Sequence, residues 1–305
     1  MTIDKQFLEE IERKLGAHSP TLAAEYATAA AELLPVLAEA DFRTWAEEGV
    51  ELAGHSLRSW EAAIDYFRVS GAVLRAVPSA GFRKWAHAAR DLAEYSSVVA
   101  GSYLRASPES VKFLDEHQIT EWASLGQRLY KGHWKSISLA TVYFSASPGL
   151  LASLTLGEMA RLVALIENVA ERSYELASAC LDAAPNMFRS LSKADRAPFL
   201  TLATAVGEAS WADVRICFER APNLLAPIDP SARSRFLAMS ADVARRSGRH
   251  AYALFAEGAM ALEHVPKGSH HDLLAMAEEL AAASPVAAME FLKSSPEVLK
   301  RIRIS

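Results

Sequence analysis

The chain has 305 residues, 51% of them hydrophobic and 23% charged, which is an ordinary globular balance with ample apolar surface to bury. Its formal net charge of −5 argues against a general nucleic-acid binder, which shows a basic excess. Only two cysteines occur, Cys180 and Cys217, at equivalent places in successive repeats; a bridge between them stays open, but small buried thiols in a reducing compartment are the plainer reading.

The N-terminus, MTIDKQFLEEIERKLG, is acidic from position 4 and lacks an apolar core, so it is no signal peptide, and the chain reads as cytoplasmic. Phe7, Leu8, Ile11 and Leu15 fall on one stripe at helical spacing, so residues 1–19 read as a short amphipathic helix that ends at His18-Ser19-Pro20. An alanine-rich helix from Thr21 to Ala40 follows. Leu37 lies one repeat before Leu74, which makes residues 1–40 a degenerate repeat capping the array.

From residue 41 a unit recurs. Ser59, Ser96, Ser136, Ser173, Ser210, Ser247 and Ser284 form a ladder spaced by 37 residues, with one step of 40. Pro108, Pro148, Pro185, Pro222 and Pro296 each lie twelve residues after their serine, with Gly71 and Ala259 at the two remaining places. The first helix of each unit carries the tryptophans, in Phe42-x-x-Trp45, Phe82-x-x-Trp85 and Ile119-x-x-Trp122; Leu52, Leu92, Leu129 and Ile166 follow one heptad after Trp45, Trp85, Trp122 and Met159. Between two apolar-periodic segments, the ladder serine is placed to cap the second helix, and Pro285 fits the first helical position after Ser284. That second helix carries two columns, Tyr66, Tyr103, Tyr143, Cys180, Cys217, Leu254, Phe291 and Phe67, Leu104, Phe144, Leu181, Phe218, Phe255, Leu292. A position that is apolar at every step has to be buried against the next unit. The prolines are expected to close the second helix, as at Ser147-Pro148, and to open a one-turn segment whose apolar residue, three after the proline, packs under the joint.

The uncharged run between Lys135 and Glu158 is about as long as a bilayer span, but Pro148-Gly149 interrupts it, so it reads as a helix plus a turn and not as a membrane segment. The predicted fold is all-α: an α-solenoid of about seven 37–40-residue helix-turn-helix repeats. It is read as a single domain over 1–305, with 1–40 as cap, 41–305 as repeats and no internal boundary. Leu299, Ile302 and Ile304 at the last segment predict that the natural chain continues past Ser305 or that a partner covers this end.

Chemistry is sparse. There is no Gly-rich phosphate loop, G-x-S-x-G, H-E-x-x-H or Cys-x-x-Cys. The densest histidine cluster, HVPKGSHHD, offers His264, His270 and Asp272 as metal ligands; the plainer reading is a solvated loop, and no metal or cofactor is assigned. Trp60, Tyr174 and Trp211 follow the ladder serine, with Ile137 between, and read either as a binding strip on one edge or as staples packing each helix start. Arg245, Arg246, Arg249 and His250 flank Ser247, either to hold an acidic partner or a phosphate, or as a solvated helix end favoured by the dipole.

Two stretches, DFRTWAEEGVELAGHSLRSWEAAIDYFRVS and ITEWASLGQRLYKGHWKSISLATVYFSASPGLL, follow a loose W…G…L…S…YF…SP pattern, whose closing SP is present in the second only, and the likeness they carry spans roughly residues 40–300. They resemble the helical repeats ahead of the von Willebrand factor A domain in bacterial proteins of the nitric-oxide-reductase-activation or CoxE-like type. The resemblance implies action with MoxR-type AAA+ ATPases in maturing or activating metalloenzymes, this array being the arm that binds the target or the ATPase. The A domain's D-x-S-x-S motif is absent and no α/β segment follows, so no residue here inherits the metal-dependent role.

The leading expectation is therefore a non-enzymatic scaffold whose solenoid surface binds another protein. One rival is an RNA-reading helical repeat, which needs basic and base-reading side chains at one repeat position. The column after the aromatic pair, Arg68, Arg105, Ser145, Asp182, Glu219, Ala256, Lys293, is neither. The other rival is a helical-repeat enzyme with its site at His264, His270 and Asp272.

Overall fold

A computed structural model describes residues 4–248 and 251–304, the side chains of Ser247 and of residues 298–304 excepted. It is 86% helical, and no strand occurs among the described residues. The chain forms two compact units, Met1–Ala152 and Ser153–Ser305.

In the first unit, four helical hairpins follow one another: α1 (Lys5–Gly16) with α2 (Pro20–Leu33), α3 (Glu39–Gly54) with α4 (Ser59–Ala76), α5 (Ser79–Tyr95) with α6 (Ser97–Ser110), and α7 (Glu116–Leu129) with α8 (Trp134–Leu151). The second unit repeats the plan with α9 (Leu156–Ala170) and α10 (Tyr174–Ser190), α11 (Lys193–Ala209) and α12 (Asp213–Leu225), α13 (Pro230–Ser247) and α14 (Ala251–Glu263), and α15 (His270–Ala283) and α16 (Pro285–Ile304). Within each unit the odd helices pack on odd helices and the even on even, giving the two-layered stack of an all-α helical-repeat fold. Residues 1–40 supply a complete hairpin, with Ser19-Pro20 standing 40 residues before Ser59 as a further rung of the ladder.

The packed columns are those the repeat predicts. Every described side chain of the Tyr66–Leu254 and Phe67–Leu292 columns is buried, and Phe291 alone is half-buried. Two local expectations are corrected. First, the prolines do not close the second helix. Pro108, Pro148, Pro185, Pro222 and Pro296 all lie inside it. An internal proline costs roughly 3 kcal/mol, and continuing the helix buries Leu150, Leu151, Met187, Phe188 and Leu225, which more than offsets it. The apolar residues three after the proline (Val111, Leu151, Phe188, Leu225) are buried as expected.

Second, the ladder serines do not share one role. Ser96, Ser173 and Ser284 cap their helices, accepting from the backbone N–H of Val99, Leu176 and Ala287 at 3.4, 3.3 and 3.2 Å. Ser59 and Ser136 lie buried in the first turn and hold the preceding loop instead. Ser59 Oγ accepts from Ser56 N–H at 2.9 Å, and Ser136 Oγ accepts from Lys131 N–H at 2.9 Å and donates to His133 O at 2.7 Å. Ser210 ends α11, two residues short of the Ala212 that precedes α12, and Ser247 ends α13. The reason is connector length: four residues join α3 to α4 and α7 to α8, against Ser96 alone between α5 and α6. The three extra residues also shift the first-helix column. Counted from each N-cap it reads Trp45, Trp85, Trp122, Leu162, Phe199, Phe236, so Leu162 and not Met159 stands in the tryptophan place.

A polar latch closes three hairpins of the first unit. Buried Trp85 donates its indole N–H to Ser107 Oγ at 2.7 Å, Ser107 donates to Tyr103 O at 2.7 Å, and Tyr103 Oη returns to Trp85 O at 3.4 Å. Trp122, Ser147 and Tyr143 repeat it at 2.9, 2.8 and 3.3 Å. Trp45 and Tyr66 do so through Ser70, whose hydroxyl points to Phe67 O. Burial holds the three phenols well above their usual range, so they remain neutral donors. Tyrosines also pack on the next tryptophan: Tyr26 and Tyr66 stack on Trp45 and Trp85 at 5.6 and 5.3 Å, and Tyr103 lies tilted on Trp122 at 4.7 Å. In the first three hairpins of the second unit all three partners change together: Leu162, Phe199 and Phe236 replace tryptophan, Cys180, Cys217 and Leu254 replace tyrosine, and Ala184, Ala221 and Gly258 replace serine, while the fourth keeps Ser295, which donates to Phe291 O at 2.8 Å. Keeping the tryptophan alone would strand a buried donor.

Ser107→Ala is therefore expected to cost about 1–3 kcal/mol by leaving the Trp85 indole N–H unpaired. Adding Trp85→Phe, the pairing Phe199 already has with Ala221, should cost less than the sum of the single changes. Denaturant titration of the cycle checks this; additivity within about 0.5 kcal/mol would refute the latch.

Candidate functional site

Most of the exposed large apolar side chains of the first unit gather where its hairpins turn, Val36 and Phe113 lying instead in connectors between hairpins. The α3–α4 connector, HSLR, leaves Leu57 93% exposed, and Trp134, which opens α8 after YKGH, is 74% exposed. Between these two tips, Tyr95 and Val98 at the α5–α6 turn are each 51% exposed, and Trp60 and Tyr130 are half-buried beside them. The local sequence explains the display. Ser59 and Ser136 bind their own loops from inside, and Gly132 supplies a positive φ of 81° that other residues rarely adopt. The loops are thus held while the side chain two before each serine is left in solvent.

The three tips are tied to one another. Ser56 Oγ donates to Ala93 O at 3.2 Å, Ser97 Oγ to Glu61 Oε2 at 3.0 Å, and Tyr130 Oη to Tyr95 O at 3.1 Å with the two rings 6.1 Å apart. Lys135 Nζ lies 5.5 Å over the Trp134 ring, and Arg58 Nε is paired with Glu61 at 2.9 Å. A groove of about 400 Å³ opens beside the tips, lined by Tyr95, Gln127, Arg128, Tyr130 and Lys131. The tips thus carry an apolar and aromatic edge on a hydrogen-bonded frame.

Of the aromatics that follow the ladder serine, Trp60 belongs to this edge. Tyr174 and Trp211 lie in the second unit, at the same ends of neighbouring α10 and α12; Tyr174 is half-buried and Trp211 40% exposed. Leu57, Tyr95, Tyr130 and Trp134 escape the sequence reading because they precede the serine. A local likeness was nevertheless present: Leu57-Arg58-Ser59 and Trp134-Lys135-Ser136 share an apolar-basic-Ser triplet ending on a ladder serine, each at a four-residue connector.

The basic cluster divides. Arg245 is exposed and lines a groove in the second unit. Arg246 is also exposed but contributes to the fold, donating to Ala281 O at 2.7 Å and pairing with Asp242, which ties α13 to α15. Arg249 and His250 lie outside the described residues, as do the side chains of Leu299, Ile302 and Ile304.

His270 is not in a solvated loop. It opens α15 fully buried, with Asp229 N–H donating to Nδ1 at 3.1 Å and Nε2–H facing Val265 O at 3.1 Å. Both ring nitrogens are thus engaged by backbone, while His264 and Asp272 are exposed. Among the described residues no group of three or more His, Cys, Asp or Glu side chains is placed to hold a metal. Buried Asp195 is likewise used by the fold. Asp195 accepts from Ser192 and Ser234 Oγ, both at 2.6 Å, joining α11 to α13. Both cysteines are free and buried; burial pushes the Cys180 thiol up to about 12 and Cys217 higher still, far from a reactive thiolate.

The basic residues of the RNA-like column are neutralised by acids one repeat earlier: Arg68 by Glu25 at 2.5 Å, Arg105 by Asp65, and Lys293 by Glu257 at 2.6 Å. Among the described residues no helix is long and apolar enough to cross a membrane. No protein-family model, curated protein or solved structure matches the chain.

Proposed function

We propose that the protein is a non-enzymatic scaffold that binds another protein through the hairpin-tip edge of its first unit. The observation that carries this reading is the display of Leu57, Tyr95, Val98 and Trp134 on tips locked by buried serines and cross-tip hydrogen bonds. Exposed aromatics on a rigid frame offer large apolar contact at small entropic cost, which is how interface hot spots are built. The repeat resemblance supplies the partner class, an AAA+ ATPase of the MoxR type or its metalloenzyme client. The free, buried thiols support a reducing compartment such as the cytoplasm. Pairing of Arg68, Arg105 and Lys293 with neighbouring acids disfavours the RNA rival.

The test is capture from native lysate, with and without nuclease in parallel, by wild type and by Trp134→Ala, with bound proteins identified by mass spectrometry. An AAA+ ATPase or metalloenzyme is expected on the wild type and depleted about tenfold or more on the variant, as for a hot-spot residue. Equal recovery on both, or recovery that disappears with nuclease, would overturn the reading.

A further inference from the structure

The second unit carries a different kind of surface on its odd-helix layer. A groove of about 380 Å³ crosses α9, α11 and α13, lined by Arg161, Asn168, Thr201, Thr204, Glu208 and Arg245 among others. Glu208 and Arg245 stand 37 residues apart at equivalent places on α11 and α13, and Asn168 lies three residues earlier on α9 than the place equivalent to theirs.

The hydrogen-bonding capacity of the lining is specific. Arg161 Nη2 donates to Thr201 Oγ1 at 2.9 Å, and Thr201 donates onward to Ala197 O at 3.0 Å, which steadies the Arg161 guanidinium at the groove wall. Thr204 spends its proton on Leu200 O at 2.8 Å, leaving its hydroxyl oxygen as an acceptor. Among the described residues neither Arg245 nor Glu208 makes an ion pair or hydrogen bond. The groove thus offers two guanidinium forks, acceptors at Thr204 and Glu208, and the amide of Asn168, which both donates and accepts.

A bare anion such as phosphate would match the arginines but face Glu208. A polypeptide in extended form matches the whole set: carboxylates for the arginines, backbone N–H groups for Thr204 and Glu208, and an amide for Asn168. Helices packed roughly 8–10 Å apart place α9 and α13 about 16–20 Å from each other, the reach of five or six extended residues at about 3.3 Å each. We infer that this groove binds an extended acidic peptide segment, held by its carboxylates at Arg161 and Arg245 and by its backbone at Thr204 and Glu208. It is a second contact of the scaffold, independent of the first-unit edge.

The experiment is fluorescence anisotropy of the full chain with a labelled hexapeptide library carrying Glu or Asp at alternate positions, against a matched library carrying Gln or Asn. The acidic library is expected to bind about tenfold or more tightly, weakening with salt. Arg161→Gln and Arg245→Gln, both at exposed positions, should each remove about tenfold. Trp134→Ala should leave the affinity unchanged, so loss of this groove and loss of the edge are told apart. Equal binding of the two libraries, or full affinity in Arg245→Gln, would sink the inference. Complete displacement by millimolar inorganic phosphate, with phosphate itself bound at Arg245, would replace it with a simple anion site.

Discussion

Phe144→Ala is expected to lower stability by about 3–5 kcal/mol, the range for a fully buried phenylalanine. The ring is wholly shielded from solvent, 5.5 Å from Trp122 and 5.4 Å from Tyr103, both edge-on, and 5.2 Å from Tyr143. It fits because α7 has no side chain opposite it: a Cβ added at Gly126 would come within 2.1 Å of the ring tip. Phe67 meets Gly49 in the same way, at 2.2 Å, two hairpins earlier. The cavity left by alanine is walled by large rings already fixed by the Trp122–Ser147–Tyr143 latch, so collapse can recover little of the loss. Denaturant titration followed by far-UV circular dichroism measures it, and a loss under about 1 kcal/mol would refute the closed slot.

His270→Ala should be the costliest polar change in the second unit, at about 2–4 kcal/mol. Two backbone groups, Asp229 N–H and Val265 O, lose their partners at once, each worth about 1–3 kcal/mol when stranded. Asp229 caps α13 through Ser231 N–H at 2.9 Å, so the loosened N–H sits at a helix start. His264→Ala, on the exposed side of the same segment, should change stability by less than about 0.5 kcal/mol. The pair separates a structural bolt from a metal ligand. If the two variants behaved alike, and if stoichiometric zinc raised the thermal midpoint of the wild type but of neither variant, the metal reading of this segment would return.

The latch shows how much chemistry a single sequence can carry. Serine at 70, 107 and 147 becomes alanine or glycine where tryptophan becomes leucine or phenylalanine and tyrosine becomes cysteine or leucine. The tryptophan and tyrosine columns were visible as columns, but the serine column and the coupling became evident only when the indole, hydroxyl and carbonyl were placed within 3.4 Å of one another. The edge was half-legible: Trp60 was found by position, whereas Leu57 and Trp134 needed the loops that turn them outward. Arg245 and Arg246 are adjacent and chemically alike, yet one faces a groove and the other reaches Ala281 O, a distinction set by which side of α13 each occupies.

What this sequence determined by itself was the helical repeat, the alternation of first and second helices, and the identity of the buried columns. Burial recurring every 37 or 40 residues is one-dimensional information, and only stacked hairpins satisfy it. The tertiary structure decided the rest: that Pro148 lies within a helix, that Ser136 holds a loop where Ser96 caps, that His270 is bolted inside, and which aromatics reach solvent. Each of these turns on a local preference of a few kcal/mol weighed against what the neighbouring hairpin buries or leaves unpaired, and that neighbour is tens of residues away in the chain.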